Sequence, residues 1–150
     1  FLFLGGGSME AQLDYFCKQN DLYNVKFLGS FSMKDTSEIV NFSDVSMVSF
    51  KDLPILHTNS PNKLFDSLSA AKPIIVNSAG WTKDLVEINA CGYYVNPNNP
   101  NELVEKLLYL RSNPDIIREM GKRSRKLAET KYDKSILCEE FAQLIKKQLF

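Results

Sequence analysis

Histidine is almost missing from this chain: His57 is the only one in 150 residues. That excludes a histidine-rich metal site and any histidine dyad within the chain. A lone histidine in a loop is ordinarily solvated. Cysteine is also scarce. Cys17, Cys91 and Cys138 are odd in number and far apart in sequence, so they form no zinc-like pair and read as reduced, cytosolic thiols. Net charge is missing altogether: 18 basic residues balance 18 acidic ones. Non-specific nucleic-acid binding wants a basic excess, so nucleic acid is not an expected partner. No apolar run approaches the ~20 residues of a membrane span, and no signal peptide is visible. Nucleophile-elbow, P-loop and zinc spacings are absent too. The chain lacks a methionine or a polar lead-in at its start. "FLFLGGG" opens inside what reads as a buried strand, the expected mark of a cut from a longer protein.

What is present is ordinary globular material. Hydrophobic residues make up 44% and charged residues 24%, and the length suits one domain. Such a chain buries roughly 70% of its unfolded surface and needs no staples. Strand-like and helix-like segments alternate. Strands are expected at 1–4, 24–29, 44–50, 73–77 and 92–95. Helices are expected at 8–20, 34–42, 61–71 and from about Thr82. Met9, Leu13, Phe16 and Cys17 share one face of the first helix. Beyond residue 98 only helical signals remain. Asn99 and Pro100 open one helix, with Glu102 closing a capping box. Asn113 and Pro114 open a second, to about Thr130, and a third covers roughly 133–149. The central strands are continuous apolar runs, the pattern of a parallel sheet covered on both faces. The fold class is α/β: a doubly wound, Rossmann-like parallel sheet with helices on both faces and a helical C-terminal tail.

Ligands of such sheets sit beyond the carboxyl ends of the strands. The turns there are 5–8, 29–33, 50–62 and 77–82. In "SPNKLFD" (60–66), Ser60 suits an N-cap and Pro61 the first helical position. Asn62, Lys63 and Leu64 would then offer unpaired backbone amides, which favour an anion together with the helix dipole and the Lys63 charge. Asp66 shares a face with Lys63, and its carboxylate could accept two adjacent hydroxyls. Phosphate at the helix start and a diol one turn along would match a nucleotide. The plain alternative is a surface helix with a Lys63–Asp66 pair of ~0.3 kcal/mol.

The other turns are weaker. "LGGGS" contains Gly5 and Gly6 but is not G-x-G-x-x-G, so it reads equally as a tight turn. "LGSFSM" brings Gly29, Ser30 and Phe31, with Phe31 either a loop anchor or a stacking face for a base. "NSAGWTKD" brings Gly80 and Trp81 ahead of a helix capped by Thr82. Trp81 reads as a packing residue or a sugar platform.

The order "FLGGGS", "VKFLGSF", "DVSMVSF", "SPNKLFDSLSAAKPIIV", "AGWTKDLVE", "CGYYVNPNNPNELVEKLLYL", "MGKRSRKLAE" resembles the C-terminal half of a family 4 glycosyltransferase of the GT-B fold. It is most similar to bacterial enzymes that build surface polysaccharides, such as capsule, from nucleotide sugars. The resemblance runs from Phe3 to about Lys146, and "SPNKLFDSLSAAKPII" is its most specific piece. It implies a nucleotide-sugar-binding domain. The residues it implies are Asn62 and Lys63 for the diphosphate, Asp66 for the ribose, Gly29, Ser30 and Phe31 for the base, and a glycine turn at Gly5 and Gly6. Ser60 and Gly80 complete the candidate set. The family's paired glutamates, separated by seven residues, fall on Thr58 and Asp66. Aspartate keeps a carboxylate; threonine cannot replace the first acid.

The resemblance also implies what should lie elsewhere. The family's first strand and helix, with an Arg and a Lys for the diphosphate, should precede Phe1. A separate N-terminal domain should bind the acceptor and supply the catalytic group, so no catalytic residue is assigned here. Residues 1–150 are thus expected to be one domain of a two-domain enzyme, with transfer activity only in the longer chain. That enzyme would move a sugar from a UDP- or GDP-type donor to a glycan or lipid-linked acceptor. It would need no metal or other cofactor, because helix N-termini and cations stabilise the diphosphate. It would be cytoplasmic, at most peripherally attached to the inner face of the membrane. Two other readings stand beside it: a sugar-nucleotide epimerase half-domain and a non-catalytic interaction module.

Overall fold

A computed structural model describes residues 1–149. The chain divides into two compact units, Phe1–Ile39 and Val40–Phe150. In the first, β1 (Leu2–Phe3) pairs in parallel with β2 (Lys26–Phe27), and α1 (Glu10–Gln19) connects them. Phe3 and Phe27 stack with ring centroids 5.1 Å apart. No residue of 1–39 is buried. The expectation of a buried first strand therefore fails: Leu2 and Phe3 are about half exposed, at 51% and 50%. A continuous apolar run shows that a strand can be covered, but it does not supply the cover. The apolar positions of α1 are likewise open, with Phe16 exposed at 56%.

Helix α2 (Met33–Phe42) leads out of the first unit. Ser32 caps it: its hydroxyl accepts from the Asp35 amide and donates to the Asp35 carboxylate. The second unit holds β3 (Ser46–Val48), α3 (Asn62–Ser69), β4 (Ile74–Val76), α4 (Trp81–Ile88) and β5 (Gly92–Tyr94). Helices α5 (Pro100–Ser112), α6 (Pro114–Lys131) and α7 (Lys134–Leu149) follow. Its three strands are parallel in the order β3-β4-β5, with Val48 opposite Val76 and Val76 opposite Tyr94. The expected strands thus form, but as a two-stranded and a three-stranded sheet, not one ladder.

Alternation along β4 decides the core. Ile74 and Val76 point to one face and Ile75 to the other. The first face packs against Leu64 and Leu68 of α3, Leu85 and Val86 of α4, and Leu127 and Ala128 of α6. The second packs with Val95 against Leu110 of α5 and Met120 of α6. Helices therefore cover both faces of this sheet. Ser124 ties α6 to the start of β4 by donating to the Lys72 carbonyl at 2.7 Å.

Two expected caps are not used. Pro61, not Ser60, is the residue before α3; it is extended (ψ 129°), and its carbonyl accepts the Leu64 amide at 3.0 Å. Pro61 is buried, and the helix begins one residue later than expected. Gly80 precedes α4, so Thr82 lies inside that helix and donates to the Ser78 carbonyl. At α5, Glu102 reaches the Asn96 amide and the Asn99 side chain, which is a wider bridge than the expected capping box.

Candidate functional site

In the second unit the turns at the carboxyl ends of β3 and β4 lie against each other. The longer one, 49–61, contains a 3-10 turn at Pro54–Thr58. Three residues of the β4–α4 turn and the first residue of α4 hold it. The Asn77 carboxamide accepts from the Phe50 amide at 2.8 Å and donates to the Phe50 carbonyl at 2.9 Å. In effect a side chain extends the β3–β4 ladder past the end of the strands. The buried Ser78 donates to the Leu56 carbonyl at 3.3 Å, and the Trp81 indole donates to the Asn59 carbonyl at 3.0 Å. Gly80 completes the set: a Cβ there would stand 2.3 Å from the His57 carbonyl oxygen. Trp81 also stacks on Phe65 of α3, 6.2 Å between ring centroids. It is a packing and anchoring residue, as one of its two sequence readings held.

This frame presents the start of α3. Ser60, Asn62, Lys63 and Asp66 are all exposed. With the Leu64 amide turned back to Pro61, the Asn62 and Lys63 amides are the donors that no helix carbonyl can accept. The Lys63 ammonium lies over the Phe50 ring, 5.2 Å from its centroid. The Lys63–Asp66 pair weighed from the sequence does not form, so the Asp66 carboxylate stays open. Three residues of helix place Asp66 about 4.5 Å further along the axis than Lys63. An anion can thus meet two amides and an ammonium at the helix start, with a hydroxyl acceptor one turn on.

Thr58 donates its hydroxyl to the Ile55 carbonyl at 3.0 Å, which ties it to its own 3-10 turn. His57 is partly exposed, with Nε2 3.9 Å from Asp52 Oδ1; Asp52 also accepts from the Asn98 carboxamide at 2.9 Å. This links the 49–61 turn to the β5–α5 turn.

The remaining candidates lie in the first unit. The Gly5 amide donates to the Gly29 carbonyl at 2.7 Å, and both residues have left-handed φ (108° and 73°) that favours glycine. Gly6 and Ser30 flank these positions, and Phe31 is exposed at 44%. The structure thus brings Gly5 to Gly29 within one unit, and Ser60, Asn62, Lys63, Asp66 and Gly80 onto neighbouring turns of the other.

Sequence reasoning missed Phe50, Asn77 and Ser78. Asn77 carried a readable signal: a carboxamide directly after an apolar strand can mimic a peptide group's donor and acceptor. Among the described residues, no group of three or more His, Cys, Asp or Glu side chains is placed to hold a metal ion. No helix there is long and apolar enough to cross a membrane.

Comparison with known proteins places the chain among glycosyltransferases. An uncharacterised glycosyltransferase of Methanocaldococcus jannaschii is 24% identical over 129 residues, covering 86% of this chain and 35% of the relative. A sucrose-phosphate synthase of Thermosynechococcus elongatus matches in structure with a TM-score of 0.84 at 17% identity, covering 99% of this chain and 38% of that one. HepE of Anabaena, solved with UDP-glucose, matches with a TM-score of 0.78 at 18% identity, covering 97% and 40%. The fold is therefore that of GT-B glycosyltransferases, and the chain spans about a third of the length of the curated relative. A family profile described as "Glycosyl transferases group 1" matches residues 1–127, so the chain belongs to that family.

Proposed function

We propose that this chain is the nucleotide-sugar-binding domain of a two-domain, family 4 glycosyltransferase of the hexosyltransferase type. The observation that carries the reading is the start of α3, in a chain whose residues 1–127 match the glycosyltransferase profile. Two uncommitted amides and the Lys63 ammonium meet an anion there, and the open Asp66 carboxylate lies one turn beyond. The diphosphate binds at Asn62 and Lys63, and Asp66 accepts from the ribose hydroxyls. Supporting it, HepE, which shares the fold, was solved with UDP and with UDP-glucose.

The intact enzyme moves a sugar from a UDP- or GDP-type donor to a glycan or lipid-linked acceptor in surface-polysaccharide synthesis. A second domain supplies the acceptor site and the catalytic group. The matched relatives are about two and a half times as long as this chain, which supports a second domain. As the diphosphate departs, its growing charge meets donors already fixed by the helix, so little reorganisation is needed.

Amide-resolved NMR tests the placement. Adding UDP or GDP to the 150-residue chain moves the Asn62 and Lys63 amide resonances first. Binding that leaves both unmoved would overturn the diphosphate assignment. Sugar transfer by this chain alone would overturn the two-domain assignment.

A further inference from the structure

Lys63 and Asp66 are three residues apart on one helix, a spacing at which an exposed lysine and aspartate can pair. Here they do not. The Lys63 ammonium sits 5.2 Å from the centroid of Phe50, and among the described residues no hydrogen bond or ion pair engages the Asp66 carboxylate. A cation over an aromatic face outweighs an exposed ion pair at this spacing. The ring itself is fixed. Asn77 bonds both the amide and the carbonyl of Phe50, and the side chain packs against the buried cluster around Val48 and Val76.

We infer that Phe50, clamped by Asn77, is a positioning residue that holds Lys63 over the start of α3 and away from Asp66, keeping both charges available for a nucleoside diphosphate. This rests on the donor-binding reading above. The ring occupies one side of the ammonium and leaves its other N–H bonds for phosphate oxygens. Without the ring, Lys63 falls back on Asp66. The two charges then neutralise each other, and a bound nucleotide must first separate them. Phe50 so acts through Lys63 and touches no phosphate itself. The cost of losing it therefore falls on diphosphate recognition and not on the nucleoside.

The test compares UDP with uridine (or GDP with guanosine, where that base is preferred) on the 150-residue chain. Phe50→Leu weakens UDP binding by roughly two- to fivefold and leaves uridine binding unchanged. Phe50→Tyr, which keeps the aromatic face, restores UDP affinity. In a Lys63→Met background, Phe50→Leu has no further effect. A ligand-free signature accompanies these: the Lys63 ε-methylene protons are shifted upfield by the Phe50 ring current in the wild type and return to ordinary positions in Phe50→Leu. Equal weakening of uridine and UDP, unchanged UDP affinity, or no upfield shift in the wild type overturns the positioning role alone. A folded wild-type chain that binds neither UDP nor GDP overturns the donor reading, and this role with it.

Discussion

Replacing Asn77 by aspartate changes one atom of the clamp and nothing of its size. In the native chain Oδ1 accepts from the Phe50 amide at 2.8 Å and Nδ2 donates to the Phe50 carbonyl at 2.9 Å. Asn77→Asp keeps the first bond and replaces the second donor by an oxygen. At neutral pH a carboxylate oxygen then faces the carbonyl oxygen at contact distance. The loss is one partly buried hydrogen bond plus a carbonyl left without a donor, about 2–3 kcal/mol together. For a chain of this size that lowers the melting temperature by about 4–12 °C.

The penalty has a pH signature. Protonation of the introduced carboxyl restores a donor to the Phe50 carbonyl, so folding favours the neutral form and raises its pKa above the ~3.9 of the unfolded chain. A carboxyl with a raised folded pKa contributes stability that is present below the unfolded value and lost as pH rises through the folded one. The difference between variant and wild type is therefore full at pH 7 and narrows as pH falls toward about 4. Paired melts followed by circular dichroism read that difference directly, because acid effects common to both chains cancel. A difference under about 1 °C at pH 7, or one of equal size at both pH values, would refute the clamp.

Other outcomes follow from the same packing. Gly121→Ala places a Cβ 2.3 Å from the Ala71 carbonyl oxygen, where α6 crosses the α3–β4 turn, and should destabilise by about 1–3 kcal/mol in a urea titration; an unchanged midpoint would contradict that close approach. Burial pushes the Cys91 thiol above its ordinary pKa, while Cys138 is exposed. Alkylation at pH 8 followed by mass spectrometry should therefore label Cys138 readily and Cys91 only after unfolding. Rapid native labelling of Cys91 would contradict the core assignment.

The strands and helices were largely legible because their signals are local. Asn113 and Pro114 open α6 where expected, and the apolar runs at 73–77 and 44–50 contain the paired β3 and β4. Details that depend on partners far along the chain were not legible. "SP" reads as cap and first helical residue, yet Pro61, buried and extended, is itself the residue before the helix. Spacing left open whether Lys63 pairs with Asp66 or stands apart, and Phe50, 13 residues earlier, takes the lysine. The Phe50 backbone is in turn bonded by Asn77, 27 residues from it. The first strand reads as buried, but its Leu2 and Phe3 are only about half covered. The order of motifs pointed to the family, and local spacing pointed to α3. The frame of Asn77, Ser78, Gly80 and Trp81 that presents α3 is a tertiary product.

The most direct test of the account is a calorimetric titration of the folded chain and its Asp66→Ala variant with UDP and GDP. Asp66 is exposed, and among the described residues no hydrogen bond or ion pair holds its carboxylate, so the variant should melt like the wild type. Losing hydrogen bonds to a charged acceptor should weaken nucleotide binding by about tenfold or more. Binding of one nucleotide by the wild type, and that loss in the variant, is the predicted result; no binding of either nucleotide, or equal affinity in both chains, would contradict it.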